Sequence, residues 1–123
     1  MNLRGLFGSR GERVAMRYLR SRKYRILTKN YRCPTGEVDI ICSDGECLVF
    51  VEVKTRTSAV AGEPEEAINP AKWRRIERTA RHYVTRYSLE HRPARFDVIS
   101  VVWSEKGAPI IEHFEDAFHP PRG

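Results

Sequence analysis

The chain has 123 residues, enough for one ordinary domain and not two, and residues 1–123 are read as a single unit. Hydrophobic residues make up 41% of it, which argues against a disordered chain, while no apolar run reaches the ~20 residues of a membrane span or the core of a secretory signal. The formal net charge of +6 is unevenly placed: residues 1–32 hold ten basic side chains and one acid, Glu12, whereas the other 91 hold twelve basic and fifteen acidic groups. A basic arm on a mildly acidic body suits a polyanion, either nucleic acid or an anionic membrane surface; it is equally the pattern of a solvated helix face. The membrane reading is the weaker, because the first helix lacks the wide apolar face of an interfacial anchor.

In chain order, Ser9 and Glu12 have the spacing of a capping box opening a helix. Val14, Ala15, Tyr18 and Leu19 form its apolar stripe, with Arg13, Arg17 and Arg20 facing elsewhere, and the helix is expected to end near Arg22. Strands are predicted at about 24–31, 37–42 and 47–56. A Pro34–Gly36 turn separates the first two, and an Asp44-Gly45 hairpin joins the second and third. Residues 57–66 read as a loop that either closes over a substrate or merely connects. Asn69 and Pro70 are the N-cap and first position of a second helix, with Trp73, Ile76, Ala80, Tyr83, Val84 and Tyr87 on one face and six basic residues between Lys72 and Arg86. Two more strands, about 95–103 and 109–114, flank a turn near Lys106 and Gly107. The order α-β-β-β-α-β-β is an α+β arrangement with one mixed sheet between helices. Cys33, Cys42 and Cys47 are odd in number and lack CxxC spacing, so free thiols in a reducing, cytoplasmic setting are expected. The four histidines show no ligand spacing and read as structural or exposed.

The third strand carries the chemistry. From Cys47 it is apolar on both alternations until Glu52, the mark of a central strand covered on both faces. Glu52 and Lys54 therefore stand on one face at the end of a buried strand, where charge is costly unless paired or bound to a cation. If Asp44-Gly45 is the two-residue turn, Asp39 falls opposite Phe50 and Glu37 opposite Glu52. Glu37, Asp39, Glu52 and Lys54 then share one face, with Asp39 and Glu52 as diagonal neighbours ~7–8 Å apart. Converging carboxylates with an open side suit Mg²⁺ or Mn²⁺. The plain alternative is a structural ion pair between Lys54 and either carboxylate.

Asp39, twelve residues, then Glu52-Val53-Lys54 resembles the PD-(D/E)xK signature of restriction-endonuclease-like nucleases, with Val38 in place of the proline. The longer segments GxxGExxAxxYL (Gly8 to Leu19), NYR (Asn30 to Arg32), GEVDII (Gly36 to Ile41), LVFVEVKTR (Leu48 to Arg56) and RFDVI (Arg95 to Ile99) resemble the YraN-type family of small bacterial proteins. That family is grouped with archaeal Holliday-junction resolvases and the tRNA-endonuclease-like fold. One departure is Lys23, where the family usually has glycine.

The resemblance implies a restriction-endonuclease-like core and a metal-dependent nuclease, acting on DNA more readily than RNA and on branched structures. It implies Asp39, Glu52 and the Val53 carbonyl as ligands of Mg²⁺ or Mn²⁺, Lys54 as the catalytic lysine, and Glu37 as a supporting residue. Glu12 matches a first-helix glutamate that approaches the metal, and the capping box remains its other reading. Lys72 matches a lysine at the start of the second helix, which would either touch phosphate or simply be solvated; by their charge, Arg75, Arg13, Arg17 and Arg56 are further candidates for phosphate contact. Relatives of this kind act as homodimers, and five large apolar groups, Trp73, Tyr83, Tyr87, Trp103 and Phe118, suit either an interface or the core. The alternative function is nucleic-acid binding on the same fold without turnover.

Overall fold

A computed structural model of the chain describes residues 3–57, 68–105 and 107–119. Its elements are α1 (Leu3–Ser21), β1 (Arg25–Cys33), β2 (Gly36–Asp44), β3 (Cys47–Thr57), α2 (Pro70–Arg86), β4 (Ala94–Trp103) and β5 (Ile110–Phe118), in the expected order. The five strands form one sheet, β1-β2-β3-β4-β5. All neighbours are antiparallel except β3 and β4, which run parallel. Parallel neighbours need a crossover over one face of the sheet, and α2 provides it. The result is the three-layer α+β arrangement expected of a restriction-endonuclease-like core.

Alternation along the central strands supplies a core on each face. On the α2 side, Trp73, Ile76, Ala80 and Tyr83 pack on Ile41, Leu48, Phe50, Phe96 and Val98. On the α1 side, Ala15, Met16 and Leu19 pack on Ile40, Cys42, Val49, Val51, Ile99 and Val101. Trp73 and Phe118 stack at 4.8 Å, so most of the large aromatic groups belong to the fold; Tyr87, expected on the apolar face, is half exposed. The cysteines are free, with Cys42 fully buried.

Three expectations are corrected. The helix begins well before Ser9, so the amides near Ser9 lie inside it rather than at its free end, and no capping box forms with Glu12. The hairpin turns on Gly45 and Glu46, with Asp44 paired to Cys47. Gly45, at φ +61°, takes the first central position, where a two-residue hairpin wants positive φ, and Arg92 Nε donates to the Glu46 carbonyl at 2.8 Å. The β2–β3 register is therefore shifted by two residues from the expected one. An even shift keeps each side chain on its face but changes its partner: Phe50 meets Ile41, and continuing the ladder places Asp39 opposite Glu52. Thirdly, β5 runs on to Phe118, past a register shift opposite Phe96 and Val98 with Asp116 at φ +54°. That irregularity hid the strand's second half from a period-two pattern. The anticipated loop 57–66 falls, beyond Thr57, outside the described residues, as does Lys106.

Candidate active site

The site lies where β2 and β3 part. Their ladder stops at Ile40 and Val51, and beyond it the Asp39 carboxylate takes over: its Oδ2 accepts from the Val53 N–H at 2.8 Å. Val38 packs in the α2-side core and Ile40 in the α1-side core, so the strand's alternation skips at Asp39. Across the β1–β2 pair, Asn30 stands at φ +51° at the same level. The irregularity turns the Asp39 side chain in between two strands. It also removes Glu37 from the patch: Glu37 is exposed and pairs with Arg32 at 2.9 Å across the β1–β2 ladder. Glu37 therefore does not stand opposite Glu52, and it acts on Asp39 and Glu12 through its charge, which helps raise both carboxyls.

Glu52 is the last fully buried member of β3, with a side chain 5% exposed. It faces the N-terminus of α2, where Lys72 Nζ is 3.3 Å from its Oε2. Lys72 is held there by the cap: Asn69 has extended backbone, its Oδ1 accepts the Lys72 N–H at 2.8 Å, and Pro70 opens the helix. Lys54 follows two residues after Glu52 on the same side of β3, half-buried and beside Ser100 in the parallel ladder. Ser100 Oγ is buried without a hydrogen-bond partner among the described residues. The sequence alone did not single it out; the available signal was a polar residue within the apolar run of β4.

The charges report on one another. Burial, and then repulsion from Asp39, pushes the Glu52 carboxyl up to about 7. Asp39 is also raised, by burial, against the pull of the Val53 N–H and Lys72. Burial and the neighbouring Lys72 bring Lys54 down to about 8. Lys72 is half-buried, yet Glu52 holds its ammonium above the ordinary lysine range. Glu12 reaches the same neighbourhood from α1. Burial and Asp39 raise its carboxyl, while a hydrogen bond with Asn30 opposes the rise. Its helix can come so close because a Cβ at Gly11 would collide with Thr55 Oγ1. Two carboxylates that resist ionising beside each other, with hard oxygen donors and amines around them, fit a divalent cation of the Mg²⁺ or Mn²⁺ type. Among the described residues, however, no three His, Cys, Asp or Glu side chains stand grouped as a ready ion cage.

The family model described as "Uncharacterised protein family UPF0102" matches residues 11–101, three-quarters of the chain, from Gly11 to Val101. The chain belongs to the UPF0102 family. It is 45% identical over 111 residues to a UPF0102 protein of Geotalea uraniireducens, covering 90% of this chain and 87% of that relative. A UPF0102 protein of Geobacter sulfurreducens is 47% identical over 113 residues, covering 92% and 88%. One from Thermodesulfovibrio yellowstonii is 42% identical over 111, covering 90% and 94%. This confirms the YraN-type resemblance, and the matched UPF0102 segment contains Glu12, Asp39, Glu52, Lys54, Lys72 and Ser100.

Of the cations expected to meet phosphate, Arg13 and Arg17 are exposed on α1, and Arg75 is exposed on α2 above Gly36. Arg56 is half-buried near the end of β3. Lys72, also a candidate for phosphate, lies 3.3 Å from Glu52.

A second polar cluster lies on the α1 side of the sheet. Asp97 is fully buried and accepts from Arg95 Nε at 3.1 Å, the Asp116 N–H at 3.0 Å and His113 Nε2 at 2.7 Å. His113 Nδ1 meets the Tyr18 hydroxyl at 3.1 Å. Despite the burial, His113 and Arg95 hold the Asp97 carboxyl below the usual range. Every member is satisfied, so this cluster ties α1, β4 and β5 together. His113 is thus structural, one of the two roles expected of the histidines.

Proposed function

We propose that this UPF0102 protein is a metal-dependent nuclease that hydrolyses nucleic-acid phosphodiesters, DNA in preference to RNA, with branched DNA among its substrates. The observation that carries this reading is the meeting of Asp39 and Glu52, both hard to ionise, at the open end of a buried strand with Lys54 beside them. Asp39, Glu52 and the Val53 carbonyl would hold Mg²⁺ or Mn²⁺. Such an ion supplies Lewis acidity at a phosphoryl oxygen. The Val53 N–H fixes one Asp39 oxygen, and the other is the one proposed to take the ion. Lys54 orients the attacking water by hydrogen bonding and offsets the negative charge that builds on the phosphorus oxygens. Glu12 adds negative charge from the α1 side. Arg13, Arg17, Arg56 and Arg75 hold the polyanion by contacts that do not read sequence. Two copies of the chain would set two such sites on the two strands of a junction, and sedimentation with and without junction DNA tests that pairing.

The direct test offers labelled junction, flap and linear DNA to wild type and to the Asp39→Asn/Glu52→Gln double variant, with Mg²⁺ or Mn²⁺. Cleavage by the wild type alone is expected. Metal-independent binding that weakens with salt, without cleavage by folded wild type under any metal, would sink the reading. It would leave the second one, a nucleic-acid-binding protein without turnover, which the lack of a three-ligand cluster among the described residues favours.

A further inference from the structure

The first turn of a helix carries partial positive charge from its free N–H groups, so a cation there is electrostatically misplaced. α2 has no acid in its first turn and places Lys72 at its third residue, fixed through its backbone by Asn69. What offsets this charge is Glu52, 3.3 Å away and almost wholly buried. Glu52 is also one of the two carboxylates to which the reading above assigns the divalent ion. An ion held by Glu52 would draw on the same carboxylate that the ammonium now faces, and two cations on one carboxylate repel. The Lys72 side chain is 35% exposed, so its long stem can carry Nζ out towards solvent while the helix stays in place. Displaced, Lys72 is an uncompensated cation at the positive end of a helix, beside a further cation. A phosphodiester entering the site is an anion of the right charge to receive it.

We propose that Lys72 is a displaceable counter-ion, which closes the carboxylate pair to divalent cations until a phosphodiester draws it away. The proposal rests on the metal reading of the site and adds its regulation: metal and nucleic acid bind cooperatively, and by linkage each tightens the other by the same factor. Free of substrate, the protein carries little metal and hydrolyses nothing.

The test titrates Mn²⁺ into wild type, Lys72→Gln and Lys72→Arg. Free Mn²⁺ is followed by its paramagnetic resonance signal, with and without a saturating 20-base-pair duplex, after subtracting uptake by the duplex alone. The proposal expects Lys72→Gln to bind Mn²⁺ at least tenfold more tightly than wild type in the absence of DNA. The duplex should tighten the wild type at least tenfold and Lys72→Gln less than threefold. Lys72→Arg, which keeps the charge, should behave as wild type, and melting curves confirm that all three are folded. Equal Mn²⁺ affinity in wild type and Lys72→Gln overturns the counter-ion role. A parallel titration of the folded Asp39→Asn/Glu52→Gln variant separates the two readings: if it loses the ion while wild type and Lys72→Gln bind it equally, the metal site itself survives. Absence of Mn²⁺ uptake in every variant, duplex present or not, removes both.

Discussion

Replacing Glu52 with glutamine should stabilise the protein at the pH where the carboxylate is charged. Folding lifts this carboxyl from its ordinary 4.5 to about 7, because it is buried beside Asp39. At about 1.4 kcal/mol for each tenfold change in proton affinity, the ionised side chain opposes folding by about 3 kcal/mol. The folded state binds this proton more tightly than the unfolded one. Its contribution is therefore most favourable below about pH 4.5 and declines as pH rises towards 7. Glutamine keeps the shape, has no such titration, and relieves Asp39 of a like charge. Thermal melts of wild type and Glu52→Gln in metal-free buffer should nearly coincide at pH 4.5 and separate by about 10 °C at pH 8, with the variant the more stable. A gap that stays constant across this range, or a variant less stable than wild type at pH 8, would refute the claim that Glu52 is held against its own electrostatics.

Other perturbations test the surrounding architecture. Asp97→Asn should cost about 3 kcal/mol in urea unfolding at pH 7, since it leaves Arg95 and His113 without their buried partner. Because the folded Asp97 carboxyl lies below its ordinary range, that difference should shrink as the pH falls through the folded value. Gly11→Ala should destabilise by about 1–3 kcal/mol through collision with Thr55 Oγ1, and adding Thr55→Ala should restore a large part; a double-mutant cycle without coupling would contradict the close approach. Lys23→Gly should raise stability by about 0.5–1 kcal/mol, measured by the same unfolding curves. Lys23 stands at φ +72° after α1, where the Tyr24 N–H returns to the Leu19 carbonyl and the Lys23 N–H to that of Arg20, a Schellman closure that favours glycine.

That last position is legible without the fold, because a positive φ just after a helix has a purely local backbone cause. The same holds for the element order, the two apolar helix faces and the Asn69–Pro70 cap. Each depends on spacing within a few residues, and the period of side chains along a helix or strand is fixed by backbone geometry. The run from Cys47 to Val51 announced a doubly covered strand, and Glu52 and Lys54 at its end announced a site, because buried charge requires compensation.

Which residues compensate that charge was settled by contacts distant in sequence. Turns on Asp44-Gly45 and on Gly45-Glu46 are both acceptable locally, and the fold selects the second, with Arg92 from beyond α2 bonded to the turn carbonyls. That choice sets Asp39 across from Glu52. The skip at Asp39, where a side chain replaces a ladder bond to Val53, sends Glu37 to Arg32 and could not follow from strict alternation. Glu12 exchanges its expected cap for the neighbourhood of Asp39, Lys72 lies on Glu52, and Ser100 comes level with Lys54. The sequence by itself determined which residues are charged and which lie on a buried face, through rules that act within one turn or one strand. Only the tertiary structure decided which charges meet, because that depends on the crossover of α2, the approach of α1 permitted by Gly11, and a register that packing on both faces selects.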